Sequence, residues 1–305
     1  MERAIEKTTK KTTEQTNESR GEPDVKSGEG RLDGQVALVT GAGRGIGRVI
    51  AQALAEAGAA VALVARSSGQ LEETLSLVEA QGGRAIAFPA DVTDEEAVRR
   101  LVRQTTDALG PIDLLVANAG IGSSGKPFWE DDLADWWRLI EVNVKGVMLC
   151  AQAVLPGMIA RRRGRIINTG SYAGVKANPG GLAYSVSKTA VLRFSEALAN
   201  EVRPYGIQVF AISPGLVHTA MTERQWRSLP PAQQVVGTGA TTNPTGDWSP
   251  PELAAQLVVR LAAGEGDALS GRFIHARADD LAEMCRRAAE IEREDLYTLR
   301  LRKLT

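Results

Sequence analysis

The sequence predicts an α/β protein built on one doubly wound parallel sheet of about seven strands, with helices on both faces. Three observations predict this class. The Val-, Ile- and Leu-rich runs are continuous rather than alternating, as expected for strands that are buried on both faces. These runs alternate along the chain with amphipathic helical stretches, and a glycine-rich turn follows the first run. The 305 residues, 43% of them hydrophobic, are enough for one large core rather than two domains.

The first half of the chain predicts four strands that alternate with three helices. The apolar runs place the strands at 35–40, 60–65, 84–88 and 112–117. Helical spacing in the intervening stretches predicts three helices: one that ends near 57, one at 71–80 and one at 94–109. This order is typical of a doubly wound α/β sheet.

The second half continues the alternation and supplies the remaining three strands. Its strands are predicted at 165–169, 207–212 and 272–276. Its helices are predicted at about 131–162, 183–203 and 251–263. One continuous sheet therefore accounts for most of the chain.

Three segments fall outside the alternating pattern. Residues 1–30 are rich in Lys, Glu, Thr and Gly, which predicts a disordered tail before a domain that spans 31–276. Residues 220–250 carry several Pro and Gly, and a connection of this length is typical of a substrate-binding loop. Residues 277–305 have apolar residues at helical spacing among charges, which predicts an amphipathic C-terminal helical extension.

Composition and charge exclude several classes of partner. The chain has 36 Lys and Arg against 37 Asp and Glu, so we expect neither a nucleic acid nor a membrane surface as its partner. Two Cys and two widely spaced His are too few for a disulfide framework or a metal cluster, and we expect no metal site. The charged N-terminus predicts no cleavable signal, and we expect a soluble protein in the cytoplasm.

The turn after the first strand has the composition of a phosphate-binding turn. Gly41, Gly43, Gly45 and Gly47 lie between a predicted strand and a predicted helix. Glycine permits a tight turn and lets the backbone approach a pyrophosphate, whose charge is favourable at a helix N-terminus. The strand and helix on either side favour a dinucleotide site over an ordinary tight turn.

A second pattern predicts an acid or base. Tyr184 and Lys188 are four residues apart on a predicted helix, so a rotation of about 400° puts them on one face. A Lys cation beside a phenol stabilises the phenolate, and we therefore expect the pKa of Tyr184 to be lowered. Ser171, thirteen residues upstream at a strand end, favours this interpretation over an exposed pair without a role.

Further motifs follow in order along the chain. Asp91 comes after the third strand, Asn118, Ala119 and Gly120 follow the fourth, Asn143 lies in the long helix, and Pro214 and Gly215 follow the sixth strand. Together with the glycine turn and the Tyr-Ser-Val-Ser-Lys motif at 184–188, the region from 33 to 276 resembles the classical short-chain dehydrogenase/reductase family. The resemblance implies a single-domain Rossmann-type fold and a nicotinamide coenzyme.

The resemblance also implies a role for each matching residue. Ser171 would hold the substrate oxygen, Tyr184 would exchange its proton, and Lys188 would bind the nicotinamide ribose while tuning Tyr184. Asn143 would anchor a water relay to solvent, although an Asn inside a helix can also bond only to neighbouring backbone. The remaining residues would contact the coenzyme: Gly41, Arg44, Gly45, Ile46, Gly47, Arg66, Asp91, Val92, Asn118, Ala119, Gly120, Pro214, Gly215, Val217 and Thr219. Ser213 stands where the family often has Asn.

The end of the second strand bears on the choice of coenzyme. A free ribose 2′-hydroxyl is usually bound by an acidic side chain there, whereas a 2′-phosphate favours a cation. The strand runs into Arg66, Ser67 and Ser68, and Arg44 lies in the glycine turn. These residues favour NADP(H), with NAD(H) as the alternative if both Arg are only solvated surface residues.

The sequence therefore predicts an oxidoreductase that acts on a small carbonyl or alcohol substrate, most simply as a carbonyl reductase. A 3-oxoacyl carrier-protein reductase and a catalytically silent dinucleotide-binding sensor are the alternatives. The resemblance also implies a homodimer or homotetramer, in which the helices that bear Asn143 and Tyr184 pack against their copies. Apolar residues on the first of these helices are compatible with that packing: Val144, Val147, Met148, Ala151 and Val154.

Overall fold

The computed structural model describes residues 32–176, 181–228 and 248–301. The predicted tail at 1–30 and most of the predicted loop at 220–250 lie outside these residues. Within them, seven parallel strands form one sheet in the order β3-β2-β1-β4-β5-β6-β7, which confirms the predicted fold class. The strands are β1 (Val36–Thr40), β2 (Ala60–Ala65), β3 (Arg84–Pro89), β4 (Leu114–Ala117), β5 (Gly164–Thr169), β6 (Ile207–Ser213) and β7 (Phe273–His275).

The helices cover both faces of this sheet. They are α1 (Gly45–Glu56), α2 (Ser68–Ala80), α3 (Glu95–Leu109), α4 (Leu133–Ile140), α5 (Gly146–Arg161), α6 (Leu182–Val202), α7 (Ala220–Ser228), α8 (Pro251–Ala262), α9 (Leu281–Arg286) and α10 (Ala288–Arg293). Side-chain oxygens of Asp94 and Asp132 accept backbone N–H groups at the starts of α3 and α4. These caps explain why the two helices begin where they do.

The core consists of two apolar layers, one on each face of the sheet. Along β1, Ala37 and Val39 belong to one layer, while Val36 and Leu38 belong to the other. All four residues are at most 4% exposed. This is the physical reason for the continuous apolar runs in the sequence, because every position of a central parallel strand is buried.

The predicted helix at 131–162 is interrupted. A π-helical segment at Glu141–Lys145 separates α4 from α5, and it contains Asn143. The wider turn rotates the side chains on either side relative to each other, so that Asn143 is fully buried. The stretch Leu133–Arg161 is long and apolar enough to cross a membrane by length and composition, but half of its most apolar window is buried in the fold. A core helix passes the same test, so this is weak evidence for a membrane span.

The C-terminal extension after β7 is not one continuous helix. Helix α9 ends at Arg286, the short helix α10 follows, and Asp295 and Tyr297 then take positive φ values of 52° and 58°. Left-handed residues cannot continue a helix. We call residues 295–301 the C-terminal strap, because they cross the edge of β7: the backbone N–H of Phe273 donates to the carbonyl oxygen of Tyr297 at 2.9 Å.

Ion pairs hold this strap against the protein's own helix α6. The Arg300 guanidinium contacts Glu196 at 2.7 Å and Asp295 at 2.8 Å. Arg193 donates to the carbonyl oxygen of Leu299 at 2.6 Å. The strap therefore covers the last strand and α6 of the same chain.

Candidate active site

The strand order reverses between β1 and β4, and the glycine turn lies at this switch point. Gly41 and Gly45 take positive φ values of 68° and 56°, which favour glycine. A Cβ atom at Gly47 would lie 2.2 Å from the carbonyl oxygen of Gly41, so only glycine allows α1 to start this close to the turn. The crevice beyond the strand ends at such a switch point is where open α/β sheets bind ligands.

Helix α1 begins without a side-chain cap. Arg44 precedes it in an extended conformation, and the Arg44 side chain makes no capping hydrogen bond to the first N–H groups of the helix. Uncapped N–H groups at a helix N-terminus favour an anion. Gly45 and Ile46 thus present their backbone at the position where the sequence predicts a pyrophosphate.

Thr40 joins the two strands at the switch point and was not among the predicted site residues. Its hydroxyl oxygen accepts the backbone N–H groups of Asn118 and Ala119, each at 3.0 Å. The Asn118 amide donates to the carbonyl oxygen of Thr40 at 3.1 Å. The turn that carries Asn118, Ala119 and Gly120 is therefore fixed against the glycine turn.

Asp91 and Val92 lie at the start of the segment between β3 and α3. The Asp91 carboxylate accepts the backbone N–H and hydroxyl of Thr93, and forms an ion pair with Arg138 at 3.0 Å. Burial raises the pKa of Asp91, but these hydrogen bonds outweigh it and hold the pKa below its usual value. Arg138, on α4, was missed because the sequence gives no sign that α4 reaches the end of β3.

Asn143 connects three segments through its side chain. Its oxygen accepts the backbone N–H of Ile121 at 2.8 Å. Its nitrogen donates to the carbonyl oxygen of Ile121 at 2.9 Å and to the hydroxyl of Ser187 at 3.1 Å. The buried amide therefore fixes the segment after β4 to α6, one turn from Tyr184.

Ser171, Tyr184 and Lys188 come together as the sequence predicts. Ser171 follows β5, and its side-chain oxygen accepts the backbone N–H of Ala173 at 3.2 Å, which leaves its proton free to donate. Lys188 is 4% exposed and donates from Nζ to the carbonyl oxygen of Thr169 at 2.7 Å. Its Nζ lies 5.5 Å from the centre of the Tyr184 ring.

The expected direction of the Tyr184 pKa was wrong. Burial raises the pKa of Tyr184, and a hydrogen bond with Ser171 lowers it only in part. Burial also lowers the pKa of Lys188 to about 8, because the protein around it disfavours the charged ammonium. The sequence spacing carried no information on burial, which is the main cause of both shifts.

The loop after β6 closes the crevice on its far side. Gly215 takes a φ of 83°, and its N–H donates to the hydroxyl of Ser213 at 3.4 Å, where the family often has Asn. Thr219 lies 3.5 Å from where a Cβ of Gly45 would stand. Pro214 and Val217 are buried in the same loop. The predicted nicotinamide end and the glycine turn therefore face each other.

Arg44 and Arg66 have a different environment from these buried groups. Both are exposed, and neither side chain has a hydrogen bond or ion pair with any residue that the structure describes. Ser67, next to Arg66, accepts the N–H of Gln70 at the start of α2. In the described ranges no group of three His, Cys, Asp or Glu side chains is arranged to hold a metal ion.

The fold and this crevice define a dinucleotide-binding oxidoreductase. The family model described as short chain dehydrogenase matches residues 35–229. The chain belongs to the short chain dehydrogenase family, whose members act on CH–OH groups with a nicotinamide coenzyme.

Individual relatives differ in what they act on. A short chain dehydrogenase of Pseudocercospora fijiensis is 40% identical over 194 residues, which are 63% of this chain and 63% of that relative. A 3-oxoacyl-[acyl-carrier-protein] reductase of Thermotoga maritima is 34% identical over 80% of this chain and 96% of its own length. The crystal structure of an NAD⁺-bound xylitol dehydrogenase matches with a TM-score of 0.73 and 33% identity, over 80% of this chain and 98% of that chain.

Proposed function

We propose that the protein is an NADP(H)-dependent carbonyl reductase, which interconverts a ketone and a secondary alcohol. The observation that carries this proposal is the meeting of Ser171, Tyr184 and Lys188 beside the glycine turn and the loop after β6. A proton donor, a hydrogen-bond donor and a buried cation at one crevice suit proton exchange with a carbonyl oxygen.

The described residues fit a nicotinamide dinucleotide. The uncapped start of α1 suits the pyrophosphate, and glycine at 47 lets α1 start close to the glycine turn. Lys188 suits the ribose hydroxyls, and Val217 and Thr219 suit the carboxamide. When bound, the coenzyme supplies or accepts the hydride, while the protein supplies placement and the proton.

The protein's own residues would act in a defined order during reduction. The Ser171 hydroxyl donates a hydrogen bond to the substrate oxygen and orients the carbonyl. Tyr184, protonated at neutral pH because its pKa is raised, gives its proton to that oxygen as an alkoxide develops. Asn143 fixes the segment after β4 to helix α6. A water relay past Asn143 would return a proton from solvent to Tyr184.

Support for NADP(H) comes from the exposed cations. Arg44 and Arg66 are unpaired in the part of the chain that the structure describes, so each is available to a 2′-phosphate. Directly after β2 the sequence has Arg66, Ser67 and Ser68 rather than an acidic residue that would accept a 2′-hydroxyl. The NAD⁺-bound relative is the reason to keep NAD(H) as the alternative.

Two other functions remain as alternatives. A 3-oxoacyl carrier-protein reductase is supported by the Thermotoga relative. A silent dinucleotide sensor would need no proton donor, so the complete set of Asn143, Ser171, Tyr184 and Lys188 argues against it.

Trp248 packs edge-to-face on His218 at 5.1 Å beside the nicotinamide end, which favours a bulky apolar substrate over a polyol.

A coenzyme-oxidation assay tests the proposal. The full chain is given NADPH or NADH with apolar ketones, a sugar ketone and an acetoacetyl thioester. We expect turnover of an apolar ketone with NADPH. Turnover of the thioester alone would make the carrier-protein reductase the better answer, and dinucleotide binding without turnover of any compound would make it a sensor.

Only part of the apolar stretch predicted for a contact between subunits is exposed, and Met148 belongs to that part. Val147, Ala151 and Val154 are at most 4% exposed and pack in the protein's own core, so they cannot meet a second copy. The apolar side chains that are exposed on or beside α4, α5 and α6 are Phe128, Trp129, Leu133, Trp137, Met148, Leu182 and Val186. We propose that these residues form the contact of a homodimer or homotetramer.

A further inference from the structure

A cavity of about 240 Å³ lies under the C-terminal strap, outside the crevice described above. Its walls come from the segment after Ser171, from α6, from β7 and from the strap. Tyr172 and Val175 belong to the first, Leu192 to the second and Phe273 to the third. Tyr297 and Leu299 of the strap form its roof, so this cavity exists because the chain continues past β7.

The lining is mainly aromatic and aliphatic. Three rings, those of Tyr172, Phe273 and Tyr297, contribute to it, and no Lys or Arg is among its lining residues. The carboxylate of Glu196 is already paired with Arg193 and Arg300. No Lys or Arg lines the cavity to pair with an anion, and its second carboxylate, that of Asp279, already accepts a backbone N–H, so the mostly apolar lining favours an uncharged ligand.

Asp279 and His275 also contribute polar side chains to the lining. The Asp279 carboxylate accepts the backbone N–H of His275 at 2.7 Å. The Nδ1 atom of His275 accepts the backbone N–H groups of Arg277 at 3.2 Å and Ala278 at 3.1 Å. This hydrogen-bond pattern assigns the proton of the neutral ring to Nε2, which makes His275 a donor. Burial lowers the pKa of His275, so the ring is neutral at pH 7.5.

The cavity also contacts the segment that begins at Ser171. Tyr172 directly follows Ser171, and its carbonyl oxygen accepts the N–H groups of Val175 and Lys176, so the segment turns as a unit. Leu192 Cδ2 lies 2.8 Å from where a Cβ of Gly170 would stand. An occupant between these walls would press on the backbone that positions the Ser171 hydroxyl.

We infer that this cavity is a binding site for a neutral, planar, apolar ring system that carries one hydrogen-bond acceptor for His275. The ring is either a distal part of the substrate or a separate small molecule. In both cases the strap is part of the site. Occupation acts on turnover through the segment that begins at Ser171.

Binding to the full chain at pH 7.5 tests the site without any use of activity. The probes are quinoline, which is planar and has one ring nitrogen as acceptor, and naphthalene, which has the same shape and no acceptor. By saturation-transfer NMR we expect both to bind, with quinoline about fivefold tighter because of one hydrogen bond. Equal affinities would overturn the His275 contact, and no binding of either probe would overturn the site.

Two Trp substitutions on the strap locate the binding. Leu299→Trp fills the cavity from its roof and should weaken quinoline binding by a factor on the order of ten. Leu301→Trp is the matched control, because Leu301 is 84% exposed and does not line the cavity. Equal weakening in the two variants, or none in either, would overturn the assignment.

Inhibition kinetics distinguish the two sources of the ring, and this arm alone rests on the proposed function. Quinoline that competes with an apolar ketone at saturating NADPH identifies the cavity as the place of a substrate ring. Quinoline that lowers kcat without competing identifies a separate ligand. The Leu299→Trp variant should escape inhibition in both cases, and full inhibition of that variant would contradict the inference.

Discussion

The two ends of the crevice differ in how their polar side chains are held. At the end with the proposed chemistry, Asn143 and Lys188 are at most 4% exposed, and their polar atoms have hydrogen-bond partners. At the other end, Arg44 and Arg66 are exposed and unpaired among the described residues. Substitutions at the first end should therefore change turnover and stability, whereas substitutions at the second should change only the choice of coenzyme.

Tyr184→Phe is the strongest test of this difference. It removes the proton donor but keeps the ring, so we expect kcat to fall by roughly 10³-fold, within the range for a general acid. The dissociation constant for NADPH, measured by fluorescence titration, should stay within about twofold. Tyr205→Phe is the control, since that exposed phenol lies just after α6 and outside both the crevice and the neighbouring cavity. A Tyr184→Phe variant with wild-type kcat would mean that another group donates the proton.

Arg66→Asp tests the opposite end. Loss of a charge-assisted hydrogen bond to a 2′-phosphate, together with a new acid for a 2′-hydroxyl, should shift the kcat/KM ratio of NADPH to NADH by about 30-fold towards NADH. The melting temperature should not change. Arg100→Asp, on the exposed face of α3, makes the same charge change elsewhere. An identical coenzyme ratio in the two variants would show that Arg66 does not contact the coenzyme.

The sequence predicted the sheet well because burial on both faces leaves a continuous apolar signal. Strand β2 was predicted to the residue, at 60–65. The π-helical segment at Glu141–Lys145 was not predictable, since its apolar residues fit an ordinary helix and only tertiary packing selects the wider turn. The Asp91–Arg138 pair joins residues 47 positions apart, and local spacing carries no information about such a contact.

The error about the Tyr184 pKa has the same cause: local sequence spacing carries no information about tertiary packing. Spacing on a helix correctly placed Lys188 on the face of Tyr184, but spacing says nothing about burial. Burial acts on both groups, raising the pKa of the phenol and lowering that of the ammonium. A pKa expectation from sequence is therefore safest for exposed groups.

Thr40→Val tests the hydrogen bonds by which Thr40 fixes the turn after β4 against the glycine turn. Valine keeps the shape of threonine but leaves the backbone N–H groups of Asn118 and Ala119 without their acceptor. We expect the free energy of unfolding to fall by about 2 kcal/mol, the cost of buried donors left unsatisfied. Urea denaturation measures it, and Thr40→Ser, which keeps the hydroxyl, should lose less. If valine and serine were equally stable, the hydroxyl would not be what fixes the two strands.

Lys188→Met should give the smallest change in the free energy of unfolding, and it should stabilise the protein rather than destabilise it. The pKa of Lys188 is lowered from 10.5 to about 8, so at pH 7 the folded protein holds a disfavoured ammonium at a cost of roughly 3 kcal/mol. Methionine removes that cost but also the hydrogen bond to Thr169, worth about 1 kcal/mol. We expect the variant without coenzyme to be about 1 to 2 kcal/mol more stable than wild type at pH 7, and to be inactive.

The pH dependence separates this cause from better packing. Between the folded pKa of about 8 and the ordinary value of 10.5, the unfolded wild-type chain binds more protons than the folded one. Wild-type stability relative to Lys188→Met must therefore rise with pH across that window. Above it both states hold a neutral amine, so the advantage of methionine should vanish or reverse. Urea denaturation of both proteins at pH 7, 9 and 11 measures this difference, and a constant gap would show that packing, not the buried charge, separates them.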